Sequence, residues 1–349
     1  MQEKNALIAM SGGVDSSVAA YLTRQAGFAC IGATMLLQES APEQIQDAQS
    51  VAQRMGMPFH VFDCKEAFRC HVMDAFVNAY ENGETPNPCI ECNRHLKFGL
   101  LLEKALELGC DCVVTGHYAR IARHPITGRW MLQKARDEAK DQSYFLYALT
   151  QNQLSHIRFP LGELTKAEAR EIAETQGFVT ARKKDSQDIC FIPDGDYSAF
   201  LRRYTGKTYT AGDFLDTNGK VIGRHKGAVG YTLGQRKGLG LSMGAPVYVC
   251  AKDMVANTVT VGTNADLMHT TLLAGNWIWQ AIDAIDAPIH VTAKARSRMT
   301  EQPATVYPEE NGLVKVVFNQ PQRALTPGQA IVLYDGDCVI GGGTIQKVL

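Results

Sequence analysis

The run Ala9-Met10-Ser11-Gly12-Gly13-Val14-Asp15-Ser16-Ser17 limits the folds open to this chain more than any other segment. It follows an apolar stretch, 6–10, that reads as a buried strand, and it leads into a helical pattern through 18–22. A strand that turns into a helix through two glycines lets the backbone come close to an anion. The unpaired N–H groups of the new helix then supply partners for a phosphate, and the hydroxyls of Ser11, Ser16 and Ser17 could add to them. There is no Gly-Lys-Ser/Thr ending and no G-x-G-x-x-G, so this is neither a Walker loop nor a dinucleotide fingerprint. Asp15 is acidic inside an anion site, which makes sense if it holds Mg²⁺ or orients a reacting group.

Strand patterns at 28–37, 58–63 and 111–115 alternate with helical patterns at 42–55, 67–80 and 96–108. That alternation calls for a parallel sheet with helices on both faces. Thr165 with Glu168 forms a capping box for a helix over 166–176, stopped by Gly177. After a short helix at 197–204 the pattern changes to short alternating runs at 246–251, 258–261, 290–296, 313–318 and 330–333, the signature of β modules. A chain of 349 residues exceeds what one core organises. The expected class is therefore α/β: a doubly wound parallel-sheet domain over 1–195, a central β-rich domain over 196–269 and a C-terminal β-barrel over 270–349.

No apolar run approaches the roughly 20 residues of a membrane helix, and no leader precedes the first strand, so a cytoplasmic protein without membrane contact is expected. Ten cysteines are then read as reduced thiols. The net charge of −1 argues against bulk-charge attraction to nucleic acid, but leaves room for local basic faces. Arg224-His225-Lys226, Gln235-Arg236-Lys237 and Lys294-Ala295-Arg296-Ser297-Arg298 are the candidate phosphate contacts. The last would put Lys294, Arg296 and Arg298 on one face of a strand.

Two cysteine sites carry chemistry. Cys89-Ile90-Glu91-Cys92 follows Pro86 and Pro88, with a helix starting just after Cys92. A thiol at a helix start near Arg94 and Lys97 would ionise more readily. Cys190 lies near Lys183 and Lys184 in sequence. Zinc on Cys89 and Cys92 would need a second such pair, which the sequence lacks. Cys30, Cys110, Cys112 and Cys250 sit in apolar runs and read as small core residues.

The Ser-Gly-Gly-x-Asp-Ser loop resembles that of the PP-loop ATP pyrophosphatases, which implies ATP. Six further segments sharpen the likeness. They are Asn87-Pro88-Cys89-Ile90-Glu91-Cys92-Asn93, 115–119, 140–146, 185–190, 230–238 and 325–329. Together the seven resemble the tRNA-specific 2-thiouridylases over essentially the whole chain. The resemblance implies adenylation of O2 of the wobble uridine in tRNAs for Lys, Glu and Gln, and sulfur from a cysteine desulfurase or a sulfur-relay protein. Cys92 would be the nucleophile and Cys190 the persulfide carrier, joined in a transient Cys92–Cys190 disulfide. ATP would meet Ala9, Met10, Ser11, Gly12, Gly13, Val14, Asp15, Ser16, Met35 and Gly116. RNA would meet Asn87, Pro88, Cys89, His117, Lys140, Asp141, Gln142, Arg296, Ser297 and Gln329.

The chain departs from this pattern at Cys89, where many relatives have Asp, and at Ser297, where many have an aromatic residue. The acid–base role then falls elsewhere, for instance on Asp15. Cys89 also opens an alternative, a 4Fe–4S cluster on Cys89, Cys92 and Cys190. A PP-loop enzyme adenylating a small metabolite is the other alternative. Extraction of the base from the anticodon stack costs a few kcal/mol, so the segment 80–93 is expected to order fully only on RNA.

Overall fold

Residues 4–39, 42–180 and 189–349 are described by a computed structural model. The first seven strands are Asn5–Ala9 (β1), Ala29–Leu36 (β2), Phe59–Asp63 (β3), Cys112–Val114 (β4), Arg120–Arg123 (β5), Trp130–Gln133 (β6) and Ile157–Arg158 (β7). Five of them form a parallel sheet in the order β3-β2-β1-β4-β7. Ala6, Leu7 and Ile8 of the central strand are fully buried, because helices cover both faces of such a sheet. The chain builds outward from β1 to β3 and then returns to the other side of β1 with β4. The carboxyl ends of β1 and β4 thus flank the crevice where doubly wound sheets take ligands.

Helix α1, Val14–Gln25, starts directly after the glycine loop, and α2, Pro42–Arg54, packs beside it. Gly12 is held at φ 69°, and a Cβ there would lie 2.5 Å from the Gln44 carbonyl oxygen of α2. Both the backbone geometry and the space therefore require glycine.

The two helices expected over 67–80 and 96–108 are each built in pieces. The first comprises Lys65–Phe68, a π-helical stretch Arg69–Asp74, and Ala75–Glu81. The second begins earlier than expected, with Pro88–Glu91, continues through a π-helical run Cys92–Leu100 and ends with Leu101–Glu107. Its cap is Asn87, whose side chain accepts the Cys89 N–H at 3.2 Å, and Pro88 fills the first turn. The helix thus starts before Cys92, not after it.

The remaining strands are Gly212–Leu215 (β8), Val221–His225 (β9), Tyr248–Asp253 (β10), Thr258–Gly262 (β11), Met268–Trp279 (β12), Ile289–Lys294 (β13), Gln302–Pro308 (β14), Val314–Arg323 (β15), Ala330–Asp335 (β16) and Cys338–Val348 (β17). A central sheet runs β10-β11-β8-β9 around Phe214, Val249 and Val259. The last six strands close into a barrel, with β12 pairing both β15 and β17. Trp277 and Trp279 lie on one face of β12 and stack at 5.0 Å against the barrel core. The strand expected over 290–296 stops at Lys294. Arg296 to Arg298 form a turn instead, closed by the Met299 N–H on the Arg296 carbonyl at 3.1 Å.

The first and last parts of the chain share a core. The β5–β6 hairpin joins β17 through Gln133 opposite Cys338. Tyr144, Leu146 and Leu154 pack with Val332, Tyr334 and Val339 in one buried cluster. Buried Gln280 donates to the carbonyls of Leu146, Tyr147 and Leu149, at 3.2, 2.9 and 3.2 Å. The Tyr144 hydroxyl, fully enclosed, donates to the Ala330 carbonyl at 2.8 Å. Removing a buried donor strands its acceptor, which costs about 1–3 kcal/mol. Tyr144→Phe should therefore lower the unfolding free energy, read from urea denaturation, by that amount, while Phe145→Tyr, on the neighbouring half-buried ring, should change it less.

Candidate active site

Two cavities adjoin at the carboxyl edge of the parallel sheet. The first, about 480 Å³, is lined by Ala9, Met10, Ser11, Gly13, Val14, Asp15, Ser16, Thr34 and Met35 on one side. Lys97, Thr115, Gly116, His117, Tyr118, Lys140, Gln142 and Lys166 line the other. Gly13 caps α1 without any side chain claiming its first N–H groups, so the positive end of a 12-residue helix opens into the cavity. Three lysines against one aspartate make the cavity a receptacle for a polyphosphate. Gly116 lets β4 close on α1: a Cβ there would sit 2.6 Å from the Asp15 carbonyl carbon and 2.8 Å from the Ser16 nitrogen.

The polar groups of the loop are not all free for a ligand. Ser17 is turned inward, donating to the Gly13 carbonyl at 2.9 Å and meeting Thr180 at 3.1 Å. Its hydroxyl is therefore not a phosphate contact. Ser16 donates to Gly13 at 3.1 Å while receiving the Ser11 N–H at 3.3 Å. Asp15 accepts from Lys166 Nζ through both oxygens, at 2.7 and 2.8 Å, and from the Tyr118 hydroxyl at 2.9 Å. A carboxylate so occupied is not an open Mg²⁺ ligand. It fixes the Lys166 ammonium beside the phosphate site. Lys166 escaped the sequence reading because its only signal there was the capping box of Thr165 and Glu168, which is present.

The second cavity, about 580 Å³, is lined by Tyr80, Thr85, Pro86, Asn87, Pro88, Cys89, Asn93, Phe145, Ile189, Tyr197, Thr232, Ser297, Arg298 and Gln329. Lys97, His117 and Gln142 belong to both cavities and form the wall between them. His117 bonds Thr115 Oγ1 through Nδ1 at 2.7 Å. Burial holds its imidazole well below the usual range, with Lys97 adding to the effect, so it is neutral near neutral pH. Gln142 accepts the Tyr118 N–H at 2.9 Å.

The residues expected to meet RNA are spread differently. Lys140 lines the first cavity only. Asp141 is occupied as a local cap, accepting the N–H groups of Ala135 and Ser143 at 3.0 and 3.2 Å. Gln329 lines the second cavity but donates to the Thr85 carbonyl at 2.7 Å. Ser297 and Arg298 face this cavity, while Arg296 stands in the exposed turn beside it. The segment 80–93 makes contacts with the C-terminal barrel. Tyr80 is buried, and the Thr85 N–H bonds the Pro327 carbonyl at 2.9 Å.

All ten cysteines are free thiols, so the expected Cys92–Cys190 disulfide is not formed here. Cys89 lines the second cavity, Cys92 is buried behind it beside Phe68 and Leu96, and Cys190 is exposed next to the cavity residue Ile189. The expected depression of thiol pKa does not occur. Although Cys190 keeps an exposed surface, its sulfur is desolvated by the surrounding walls, which pushes the thiol up to about 11; the Cys92 and Cys89 thiols add to this, and Lys97 opposes it. Burial also raises Cys92 and Cys89, against a pull from Lys97. Lys183 and Lys184, and 185–188 of the Cys190 motif, lie outside the described residues. Among the described residues no three His, Cys, Asp or Glu side chains converge as metal ligands. Cys30, Cys110 and Cys112 are buried as read, while Cys250 is half-buried.

Comparison with known proteins gives three family matches. They are a tRNA methyl transferase HUP domain over residues 4–194, a tRNA methyl transferase PRC-barrel domain over 198–263 and an aminomethyltransferase beta-barrel domain over 269–345. Full-length relatives are named tRNA-specific 2-thiouridylase MnmA. The one from Clostridioides difficile is 44% identical, covering 99% of both chains. That from Symbiobacterium thermophilum is 46% identical over 99% of this chain and 93% of its own. That from Clostridium perfringens is 45% identical over 100% of each.

Two outcomes test this geometry. Gly116→Ala should weaken ATP binding about tenfold to a hundredfold, the equivalent of the roughly 1–3 kcal/mol of an overpacked contact, read by calorimetric titration with ATP. Iodoacetamide labelling of Cys190, followed by mass spectrometry, should keep accelerating beyond about pH 9, the region where an ordinary thiol levels off. A plateau near neutral pH would contradict the upward shift of this thiol.

Proposed function

The chain belongs to the tRNA-specific 2-thiouridylase family, and from that membership we propose that its two adjoining cavities hold ATP and a flipped-out wobble uridine on either side of the Lys97–His117–Gln142 wall. The enzyme is a tRNA sulfurtransferase that forms 2-thiouridine at the expense of ATP. The observation that carries the reading is the shared wall. A base in the second cavity can present O2 to the α-phosphate of a nucleotide in the first without either ligand leaving its pocket, which is the positioning that an adenylation step needs.

The first step joins uridine O2 to the α-phosphorus and breaks the bond to the β-phosphate, releasing pyrophosphate. The α1 N-terminus and Lys166 hold the departing phosphates, and Lys97 stands where negative charge grows on the reacting α-phosphate. Asp15 acts as the positioning partner of Lys166. Magnesium enters with ATP as its salt, and no residue here is assigned to it.

Sulfur arrives on Cys190 as a persulfide, from a cysteine desulfurase or a relay protein. Cys92 attacks the inner sulfur, the S–S bond of the persulfide breaks, and hydrosulfide is released. Hydrosulfide adds at C2 of the adenylated base, the C2–O bond breaks and AMP leaves. A Cys92–Cys190 disulfide remains, and an external dithiol must return two electrons before the next cycle. The tRNAs for Lys, Glu and Gln are the expected substrates. The words methyl transferase in two domain descriptions name the architecture, whereas the full-length relatives carry the thiouridylase name.

Incubation with ATP, Mg²⁺, a persulfide donor and unmodified tRNA should yield 2-thiouridine, detected by mass spectrometry of the nucleosides. Cys92→Ser and Cys190→Ser should each lose the thionucleoside while still releasing pyrophosphate in the presence of tRNA. Pyrophosphate release that needs no tRNA, with both variants fully active, would favour a small-metabolite substrate instead.

A further inference from the structure

Four buried side-chain polar atoms lack a hydrogen-bond partner among the described residues, and two of them, Thr85 Oγ1 and Asn93 Oδ1, belong to residues lining the second cavity. Asn93 is 2% exposed. Its carboxamide nitrogen is committed to the Phe145 carbonyl at 3.0 Å, which fixes the orientation of the group. A flipped carboxamide would set two oxygens against each other. The oxygen is thereby left as an acceptor that nothing in the chain satisfies, an arrangement that costs about 1–3 kcal/mol unless a ligand completes it.

On the reading that this cavity holds the target base, we propose that Asn93 is a specificity-determining residue, its Oδ1 accepting the N3–H of uracil and thereby excluding cytosine. The need for such a device follows from the chemistry. Cytosine carries the same C2 carbonyl and could be activated at O2 in the same way. The two bases differ at N3, a donor in uracil and a lone pair in cytosine, and at position 4. Thr85 Oγ1 cannot tell them apart, because a hydroxyl donates to O4 or accepts from an amino group equally well. A carboxamide oxygen pinned by its own nitrogen only accepts. Cytosine N3 would face it lone pair to lone pair, and sites that lose a buried bond in this way reject the wrong partner strongly.

The test measures the affinity of the full-length enzyme for three anticodon stem–loop RNAs that carry uridine, cytidine or 3-deazauridine at the wobble position. 3-Deazauridine keeps the ring shape and lacks the N3–H donor. Wild type should bind the uridine RNA about tenfold to a hundredfold more tightly than the other two, matching one buried hydrogen bond. Asn93→Ala should bind all three alike. Asn93→Asp, which keeps an acceptor oxygen whether ionised or protonated, should retain the preference for uridine over 3-deazauridine, so the idea stays testable if the alanine variant does not fold. If Asn93→Ala weakens all three RNAs equally with the preference intact, the residue is only a strut for Phe145 and the proposal fails. It fails equally if wild type binds uridine and 3-deazauridine RNAs alike. If wild type binds none of the three, the tRNA reading itself falls and takes this one with it.

Discussion

Two hydrogen bonds to a single residue hold the site together. Thr85 donates its N–H to the Pro327 carbonyl at 2.9 Å, and its own carbonyl receives Gln329 Nε2 at 2.7 Å. The loops approach so closely because Gly328, at φ 87°, has no Cβ; one would lie 2.8 Å from Glu84 Cβ and 2.9 Å from the Thr85 nitrogen. Downstream of this clamp come Asn87, which caps the next helix, then Cys89, Cys92 and Asn93 on that helix. The C-terminal barrel thus acts on the chemistry by holding the segment that carries it. The shared core of Tyr144, Leu146, Val332 and Tyr334 gives the clamp a rigid base.

From that fixed segment the wall between the cavities follows. Lys97 projects from the same π-helical run as Cys92, while His117 and Gln142 come from loops beyond β4 and before the helix Ser143–Leu146. The insertion that widens a π-helix is a recurrent feature of functional sites, and here the run carries a thiol, the pinned carboxamide and the ammonium together. Because His117 is neutral, the wall's positive charge comes from Lys97, which lines both cavities.

Much of this was readable from the residues. The strand–glycine loop–helix unit, the parallel sheet and the capping box of Thr165 all follow from local rules, since they depend on neighbours in sequence. What escaped depends on contacts made across the chain. The short strands β5, β6 and β7 have little periodicity of their own, and β6 gains its place from one pairing with β17. The π-helical stretches in both helices are hidden in the sequence, because a one-residue shift of the apolar face does not stand out in runs this short. Lys166 reaches Asp15 across 151 positions, and Gln329 reaches Thr85 across 244, distances over which no periodic pattern carries information. The basic turn at 296–298 reads as a continued strand from sequence, because alternating charges fit a pleat equally well until Met299 closes the turn.

The direction of the thiol shifts bears on the order of events. Sequence proximity to Arg94 and Lys97 suggests a thiolate at the Cys89–Cys92 site, yet desolvation outweighs Lys97 at Cys89, Cys92 and Cys190 alike. In a low-dielectric pocket the cost of an unpaired charge exceeds what one ammonium returns. Neutral thiols attack disulfides and persulfides slowly, so a resting enzyme with Cys89, Cys92 and Cys190 gathered around one cavity is protected from cross-linking itself. Activation then has to come from a change in their surroundings. An adenylated base in the second cavity would place its phosphate beside Lys97, which withdraws that ammonium's support from the thiols rather than strengthening it. The charge that favours ionised sulfur must therefore come from outside the described walls of the two cavities.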